Sequence, residues 1–333
     1  MPPTVSIIVP CLNEEKRIRI LLDAVLAQTY PCALLDVTIA DGGSTDRTRE
    51  VLADFQHEHP ALRLKVIDNQ VGSIPAALNL AIKASDGEVI LRLDAHSAPY
   101  PDYVENSVAA LEAGKGENVG GIWEIRPGAE NWIARSIALA AGHPLGVGDA
   151  LYRHAKEATS VDTVPFGSFR RVLVDDQIGF YDETLLANED YEFNARIRKS
   201  GGRVWLDPAI RSLYFARSSF VTLAQQYFRY GFWKFKMLRR YPETLRWRQA
   251  LPPVFVASLV MGLGLALFLP FFGWLVVFEL LVYLGVLILA SLLLATKRKE
   301  YFLIFGLPLS IAVMHFSWGA GFLFSIFSKV WKS

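Results

Sequence analysis

Residues 5–14 read VSIIVPCLNE and residues 36–46 read DVTIADGGSTD. Each begins with a short β-branched apolar run and breaks into polar and glycine residues. Val5 to Val9 has the composition of a strand buried on both faces, as central strands of parallel sheets are. Asp36 to Ala40 predicts a second strand, closed by the turn Asp41-Gly-Gly-Ser44. Between them, Asn13 to Ala27 carries helical spacing through Ile18, Leu21, Leu22 and Val25. Outward from this pair the alternation repeats. Thr45 to Phe55 predicts a helix with Ser44 as its cap. Leu64 to Ile67 predicts a strand, Ile74 to Lys83 a helix, and Glu88 to Leu93 a strand that ends at Asp94. Repeated βαβ units fold into an α/β, mostly parallel sheet with helices on both faces. Ligands of such sheets bind beyond the carboxyl ends of the strands.

Three polar clusters follow predicted strand ends: Cys11 to Glu14, Asp41 to Asp46, and Asp94-Ala-His96. One strand-end acid is usually a turn or a cap, but three on one sheet edge point to a shared ligand pocket. No GxxxxGK[ST] loop is present, and no GxGxxG follows the first strand. Asp94 and His96 stand two apart, which puts them on one side of an extended segment. A carboxylate and an imidazole there can share a divalent cation, Mg²⁺ or Mn²⁺, that bridges a diphosphate. The alternative leaves His96 capping a loop and Asp94 bonded to backbone. Glu189 and Asp190 open a helix running to about Lys199, where acids also suit the helix dipole. An aspartate at a pocket rim is ionised at working pH, as a general base must be.

The chain has 333 residues, of which 52% are apolar and 20% charged, and its net charge is +1. Its mean hydropathy of +0.27 is high for a wholly soluble protein. No global basic field speaks for nucleic acid. Cys11 and Cys32 form neither a disulfide framework nor a zinc spacing. The start of the chain lacks the basic and long apolar regions of a signal peptide, which predicts a cytosolic N-terminal domain. Composition changes near Pro252. Three apolar runs follow, Val254 to Pro270, Phe271 to Ala295 and Tyr301 to Phe327, interrupted by Glu279 and His315. A helix needs about 20 residues to cross the hydrocarbon core; the second and third runs meet this and the first is near the lower limit. Arg239, Arg240, Arg246 and Arg248 precede the first run, and Lys297, Arg298 and Lys299 follow the second. Both clusters belong on the cytosolic side by the positive-inside rule, giving a hairpin. A third full span would carry Lys329 and Lys332 outside; a tilted or re-entrant third segment would not. Residues 222–250 interleave aromatic and basic side chains, the pattern of amphipathic helices at a membrane surface. The predicted division is therefore a catalytic domain at 1–221, interfacial helices at 222–250 and a membrane region at 251–333. Asn131 to Ala141 predicts a further helix, either interfacial or part of the core.

Read together, residues 5–15, Asp41-Gly-Gly-Ser-Thr-Asp-Arg-Thr48, Gly72 to Gly87, Leu93-Asp-Ala-His96, Phe166-Gly-Ser-Phe-Arg170 and Asn188-Glu-Asp190 resemble the family-2 glycosyltransferases with the GT-A fold. The resemblance covers about residues 4–240. Val161 to Gly167 and Gln226 to Gly231 resemble the succinoglycan-biosynthesis ExoA type within that family. It implies transfer of a hexose from a nucleotide sugar, UDP-linked, to a lipid-linked saccharide at the cytosolic face of the plasma membrane, with inversion, for an exopolysaccharide or other surface glycan. It implies that Pro10, Asn13, Glu14 and Asp41 surround the base and ribose, that Ser44 and Asp46 shape their loop, and that Gly72 and Ala76 line the cleft. Asp94 and His96 would hold the cation and diphosphate. Asp190, with Glu189 beside it, would deprotonate the acceptor. Gln226, Arg229 and Tyr230 resemble the QxxRW motif and would lie near diphosphate or acceptor. The usual DxD is here Asp-Ala-His, and the QxxRW motif ends in tyrosine, which favours one sugar added per acceptor. Two other readings stand beside this one. A polyprenyl-phosphate glycosyl synthase would use Arg126, Arg153, Arg170 and Arg171 at the pocket mouth. A non-catalytic scaffold or export subunit would keep only the fold.

Overall fold

The structure is a computed structural model that describes residues 1–148 and 150–328. The chain divides into two compact units, one of residues 1–124 and 151–214, the other of residues 125–150 and 215–333.

The first unit holds a mixed sheet. Its parallel half is β1 (Val5–Cys11), β2 (Leu35–Asp41), β3 (Arg63–Asp68) and β4 (Val89–Arg92). Val5 pairs with Leu35 on one side and Val89 on the other, and Asp36 pairs with Arg63. The remaining strands are β5 (Ser97–Pro99), β6 (Asn118–Arg126), β7 (Thr159–Ser160), β8 (Ser168–Arg170) and β9 (Val204–Phe215). The order is β3-β2-β1-β4-β8-β6-β9-β5, with β7 on β9. The sheet turns antiparallel where β4 meets β8. Alternation along the strands divides the core by face. Ile7, Val9, Val37, Ile39 and Leu91 pack with α1 (Ile18–Leu26), α2 (Thr48–Glu58) and α4 (Tyr103–Glu112). Ile8, Ala40 and Ile90 pack with Leu78 and Ile82 of α3 (Ile74–Lys83) and with Phe193 of α7 (Glu189–Lys199).

Two predicted helix starts move. α1 begins at Ile18 rather than Asn13, because Asn13 adopts φ 55° and its Oδ1 accepts the Thr45 amide at 2.8 Å. α2 begins at Thr48 rather than Thr45. Ser44 does not cap it: its hydroxyl binds Asp41 and accepts the Asn13 amide at 2.8 Å. Arg47 stands at the cap position without a side-chain capping bond, and Asp46 Oδ1, one residue earlier, accepts the Thr48 amide at 3.0 Å.

The second unit is helical. Its helices are α5 (Trp132–Gly142), α6 (Pro144–Val147), α8 (Phe220–Leu238), α9 (Trp247–Ala266), α10 (Pro270–Arg298) and α11 (Leu303–Phe327). The last three are long and apolar enough to cross a membrane. α9 starts earlier than the predicted first run and reaches 20 residues, the length that a membrane crossing needs. α9 and α10 pack antiparallel, with Ser258 donating to Glu279 at 2.6 Å and Phe255 against Tyr283 at 4.6 Å. Tyr283 in turn reaches His315 of α11 at 3.1 Å. The two polar residues that interrupt the apolar runs thus bond to side chains of neighbouring helices.

α8 differs from a free amphipathic helix. It lies along α11, and the contact depends on glycine: a Cβ on Gly231 would meet the Trp318 carbonyl at 2.1 Å, and one on Gly321 the Phe228 carbonyl at 2.1 Å. Lys234 and Lys236, which the sequence pattern assigns to a polar face, are 0% and 1% exposed. Lys234 donates to the Thr244 carbonyl at 3.2 Å and Lys236 to the Ser328 carbonyl at 3.3 Å. α5, capped by Asn131, also packs on α11 with its Ala134, Ser136 and Ile137 face buried. Lys329 and Lys332 lie outside the described residues.

Candidate active site

The three sequence clusters meet at the carboxyl ends of β1, β2 and β4. The β1 loop and the β2 loop are laced together. Besides the Asn13 contacts, the Glu14 amide donates to Thr48 Oγ1 at 2.8 Å, the Glu15 amide to Asp46 Oδ2 at 3.2 Å and the Gly42 amide to the Cys11 carbonyl at 2.8 Å. Pro10 is half-buried at the end of β1. Gly72 (φ 71°), after β3, passes so close that a Cβ on Gly42 would lie 3.5 Å from its Cα. Ala76 is buried in the first turn of α3, its amide accepted by the Ser73 cap at 3.4 Å.

Asp41 is fully buried at the end of β2. Its carboxylate accepts from the Ser44 amide and hydroxyl and from Arg49 Nε at 2.6 Å, and Arg49 also reaches Asp68. The carboxylate predicted to meet a nucleotide base is therefore also the anchor of its own loop. Burial pushes the Cys11 thiol up to about 12, with Asp41 and Glu14 adding to the shift. The neutral thiol is thereby favoured over the nucleophilic thiolate.

Asp94 and His96 take different partners. Asp94 Oδ1 accepts from Arg92 Nη2 at 3.2 Å, and Oδ2 has no partner among the described residues. His96 Nδ1 lies 3.0 Å from Glu14 Oε1. If Nδ1 carries the proton, Glu14 fixes the tautomer and Nε2 keeps its lone pair, the arrangement seen behind metal-bound histidines. Asp94 Oδ2 and His96 Nε2 are of the oxygen and nitrogen types that a divalent cation accepts. Among the described residues no group of three His, Cys, Asp or Glu side chains is arranged to hold a metal.

The centre of the site is a residue that sequence reasoning missed. Arg92 is the last residue of β4 and is 3% exposed. Besides Asp94, its Nη2 donates to Glu189 Oε1 at 3.0 Å and its Nη1 to Asp190 Oδ1. One guanidinium thus gathers three acids. Burial opposes its charge, but Asp190, Asp94 and Glu189 more than compensate and hold its pKa well above the ordinary value. Asp190 is 29% exposed. Desolvation pushes its carboxyl up to about 7, against the pull of Arg92 and with help from Glu189 and Asp94. The signal in the sequence was a lone charge in the apolar run Val89-Ile-Leu-Arg-Leu93, two residues before Asp94 and hence on its side of the strand.

In the second unit, Gln226 Nε2 donates to the Tyr230 hydroxyl at 3.0 Å, one helical turn along α8, and Arg229 is exposed. Of the four arginines considered for a lipid phosphate, Arg171 is taken up by the carbonyls of Gly87 and Ile82 and by Ser85.

The arrangement is similar to known proteins. Over 316 residues, 93% of both chains, it is 28% identical to the dolichyl N-acetyl-alpha-D-glucosaminyl phosphate 3-beta-D-2,3-diacetamido-2,3-dideoxy-beta-D-glucuronosyltransferase of Methanococcus voltae. It is 29% identical to the succinoglycan biosynthesis protein ExoA of Rhizobium meliloti, covering 95% of this chain and 93% of that one. The solved mannosyltransferase PcManGT of Pyrobaculum calidifontis, in complex with GDP-Man and Mn²⁺, shares the fold at TM-score 0.64 and 17% identity, over 99% of this chain and 88% of that one. The model of the family Glycosyl transferase family 2 matches residues 6–179. With its GT-A-like sheet and its three helices long and apolar enough to cross a membrane, the chain belongs to glycosyl transferase family 2 and is a glycosyltransferase.

Proposed function

We propose that the protein transfers a hexose from a UDP-linked sugar to a lipid-linked saccharide at the cytosolic face of the plasma membrane, building an exopolysaccharide or another surface glycan. The observation that carries this reading is the gathering of Asp94, Glu189 and Asp190 by Arg92 at the carboxyl end of β4. A lipid-linked acceptor is supported by the name of the Methanococcus voltae relative, a polysaccharide product by that of ExoA, and a multi-pass anchor by α9 to α11.

In this reading the laced loops of Pro10, Asn13, Asp41, Ser44 and Asp46, with Gly72 and Ala76, form the nucleotide cleft. Glu14 faces it while orienting His96. Asp190 accepts the proton of the acceptor hydroxyl as that oxygen attacks the anomeric carbon from the side opposite the nucleotide. The bond from that carbon to the phosphate oxygen breaks, the nucleoside diphosphate departs with the electron pair, and the configuration inverts. Glu189 keeps Arg92 engaged and adds negative charge beside the base. Asp94 and His96 would hold Mn²⁺ or Mg²⁺, which would neutralise charge developing on the diphosphate. Gln226, Arg229 and Tyr230 are assigned to acceptor or diphosphate.

The test is nucleoside diphosphate release by detergent-solubilised full-length protein. UDP-glucose, UDP-galactose, UDP-GlcNAc and GDP-mannose are supplied in turn, each with Mn²⁺ or Mg²⁺ and a membrane lipid extract. Release with one UDP-sugar, label transferred to lipid, and a loss of about 10²–10⁴-fold in Asp190→Asn are expected. Release with GDP-mannose alone would replace the donor. A labelled lipid carrying only the added sugar would mean that the acceptor is the lipid phosphate itself.

A further inference from the structure

The acids at the strand edge come from separate stretches of chain. Asp94 follows β4, whereas Glu189 and Asp190 begin α7. The Asn188 side chain makes no capping bond to α7, and its φ of 65° turns the chain abruptly into the helix. What joins the two stretches is Arg92. Its guanidinium is planar and its donors diverge at fixed angles, so the directions in which it holds carboxylates are set by one rigid group. Its backbone is fixed as well: the Arg92 amide donates to the Gly167 carbonyl at 3.1 Å, in the turn before β8. Arg92 Nε is buried without a partner, so the Nη atoms carry all of its side-chain bonding.

A merely neutralising cation would need neither this fork nor this placement. We propose that Arg92 is the positioning residue of the transfer reaction, setting the separation between the proton-accepting Asp190 and the diphosphate-side Asp94. This rests on the assignment of Asp190 as the base. Arg92 is 3% exposed and spends its side-chain bonds on Asp94, Glu189 and Asp190, so its part in the reaction is to act through the geometry of the acids it holds. Lysine in its place keeps one positive charge but has a single terminal nitrogen, which cannot reproduce two diverging Nη contacts.

The experiment compares full-length wild type, Arg92→Lys, Asp190→Asn and the double variant in detergent, with the UDP-sugar found by the donor screen. Turnover, donor KM, UDP binding by calorimetry and the melting temperature are measured on each. Misplacement of a reacting group by about an ångström costs about 10²-fold, and Arg92→Lys should lose turnover on that scale. Its donor KM and UDP affinity should change far less than its turnover, any change there coming only through Asp94. In the Asp190→Asn background, Arg92→Lys should cost nothing more, because both changes disable one unit. Wild-type turnover in Arg92→Lys would reduce Arg92 to a neutralising charge and overturn the proposal. So would multiplying losses in the double variant, or a raised KM with unchanged turnover, which would make Arg92 a donor-binding group. Full activity in Asp190→Asn alone would overturn the base assignment, and with it the role given to Arg92. If Arg92→Lys does not melt cooperatively, Arg92→Gln with Glu189→Gln removes one charge of each sign and is read in the same way.

Discussion

A carboxylate that takes a proton from a hydroxyl has to be charged beforehand, and Asp190 sits where charge is costly. Desolvation pushes its carboxyl up to about 7, so turnover should rise about tenfold per pH unit below that value and level off above it. A kcat/KM profile flat through this range would remove Asp190 from the role of base. The same shift acts on stability. Asp190 binds its proton more tightly in the folded chain, so the stability it contributes is full below the ordinary carboxylate range and is lost as pH rises through about 7. Asp190→Asn should therefore melt above wild type at about pH 8 and lose that advantage at about pH 4, as measured by thermal unfolding. Asp94 and His96 stood out in the sequence because they close an apolar strand, and Glu189 and Asp190 because they open a helix, and the structure brings Asp94, Glu189 and Asp190 onto one arginine. Arg92 did not stand out, because its partners Glu189 and Asp190 lie far along the chain and an isolated arginine reads as a surface residue.

Among the elements, the parallel strands were legible because a strand buried on both faces has few other compositions. The antiparallel half was not. β5 and β8 have three residues each and β7 two, too short for any periodicity to register. The start of α2 was ambiguous because Ser44, Thr45 and Asp46 can all cap a helix, and it is the long-range bond from the Asn13 amide, with the local bond to Asp41, that takes up the Ser44 hydroxyl. α8 misled for another reason. Its aromatic and basic pattern describes two-sidedness but not which side is covered, and the lysines are buried, Lys234 bonded to Thr244 and Lys236 to Ser328. Since Gly231 and Gly321 bring α8 and α11 into backbone contact, Gly231→Ala should destabilise the helical unit by about 1–3 kcal/mol, seen as a lower melting temperature in detergent. The pairing also bears on the third apolar run. α8 exposes Thr222, Gln225 and Arg229 on one face, which hydrocarbon would not tolerate, and it accompanies the second half of α11. α11 should therefore tilt along the membrane surface rather than cross it. A tag appended after Ser333 should be shielded in intact cells and become accessible on permeabilisation; accessibility from outside would mean a third crossing.

At the scale of the whole molecule, a soluble enzyme followed by an anchor would allow the anchor to be cut away. Here residues 125–150 leave the sheet unit to join the helices before the chain returns at residue 151. α5 and α8 both bury apolar faces against α11. Ending the chain at residue 246 should therefore give an aggregating protein rather than a detergent-free enzyme, because the truncation uncovers contiguous apolar surface on both helices. Size-exclusion chromatography without detergent would decide; a monodisperse soluble fragment would contradict it. The interleaving also sets a timetable for biosynthesis. β9, the last strand, leaves the ribosome before α9, so the sheet can close while the hydrophobic helices are still being made. α5 has no such luck of sequence: it emerges early, and the helix that covers it is nearly the last to be translated. For most of its synthesis the nascent chain carries an apolar face awaiting a partner not yet made, so the membrane or a chaperone has to shelter α5 until α11 arrives.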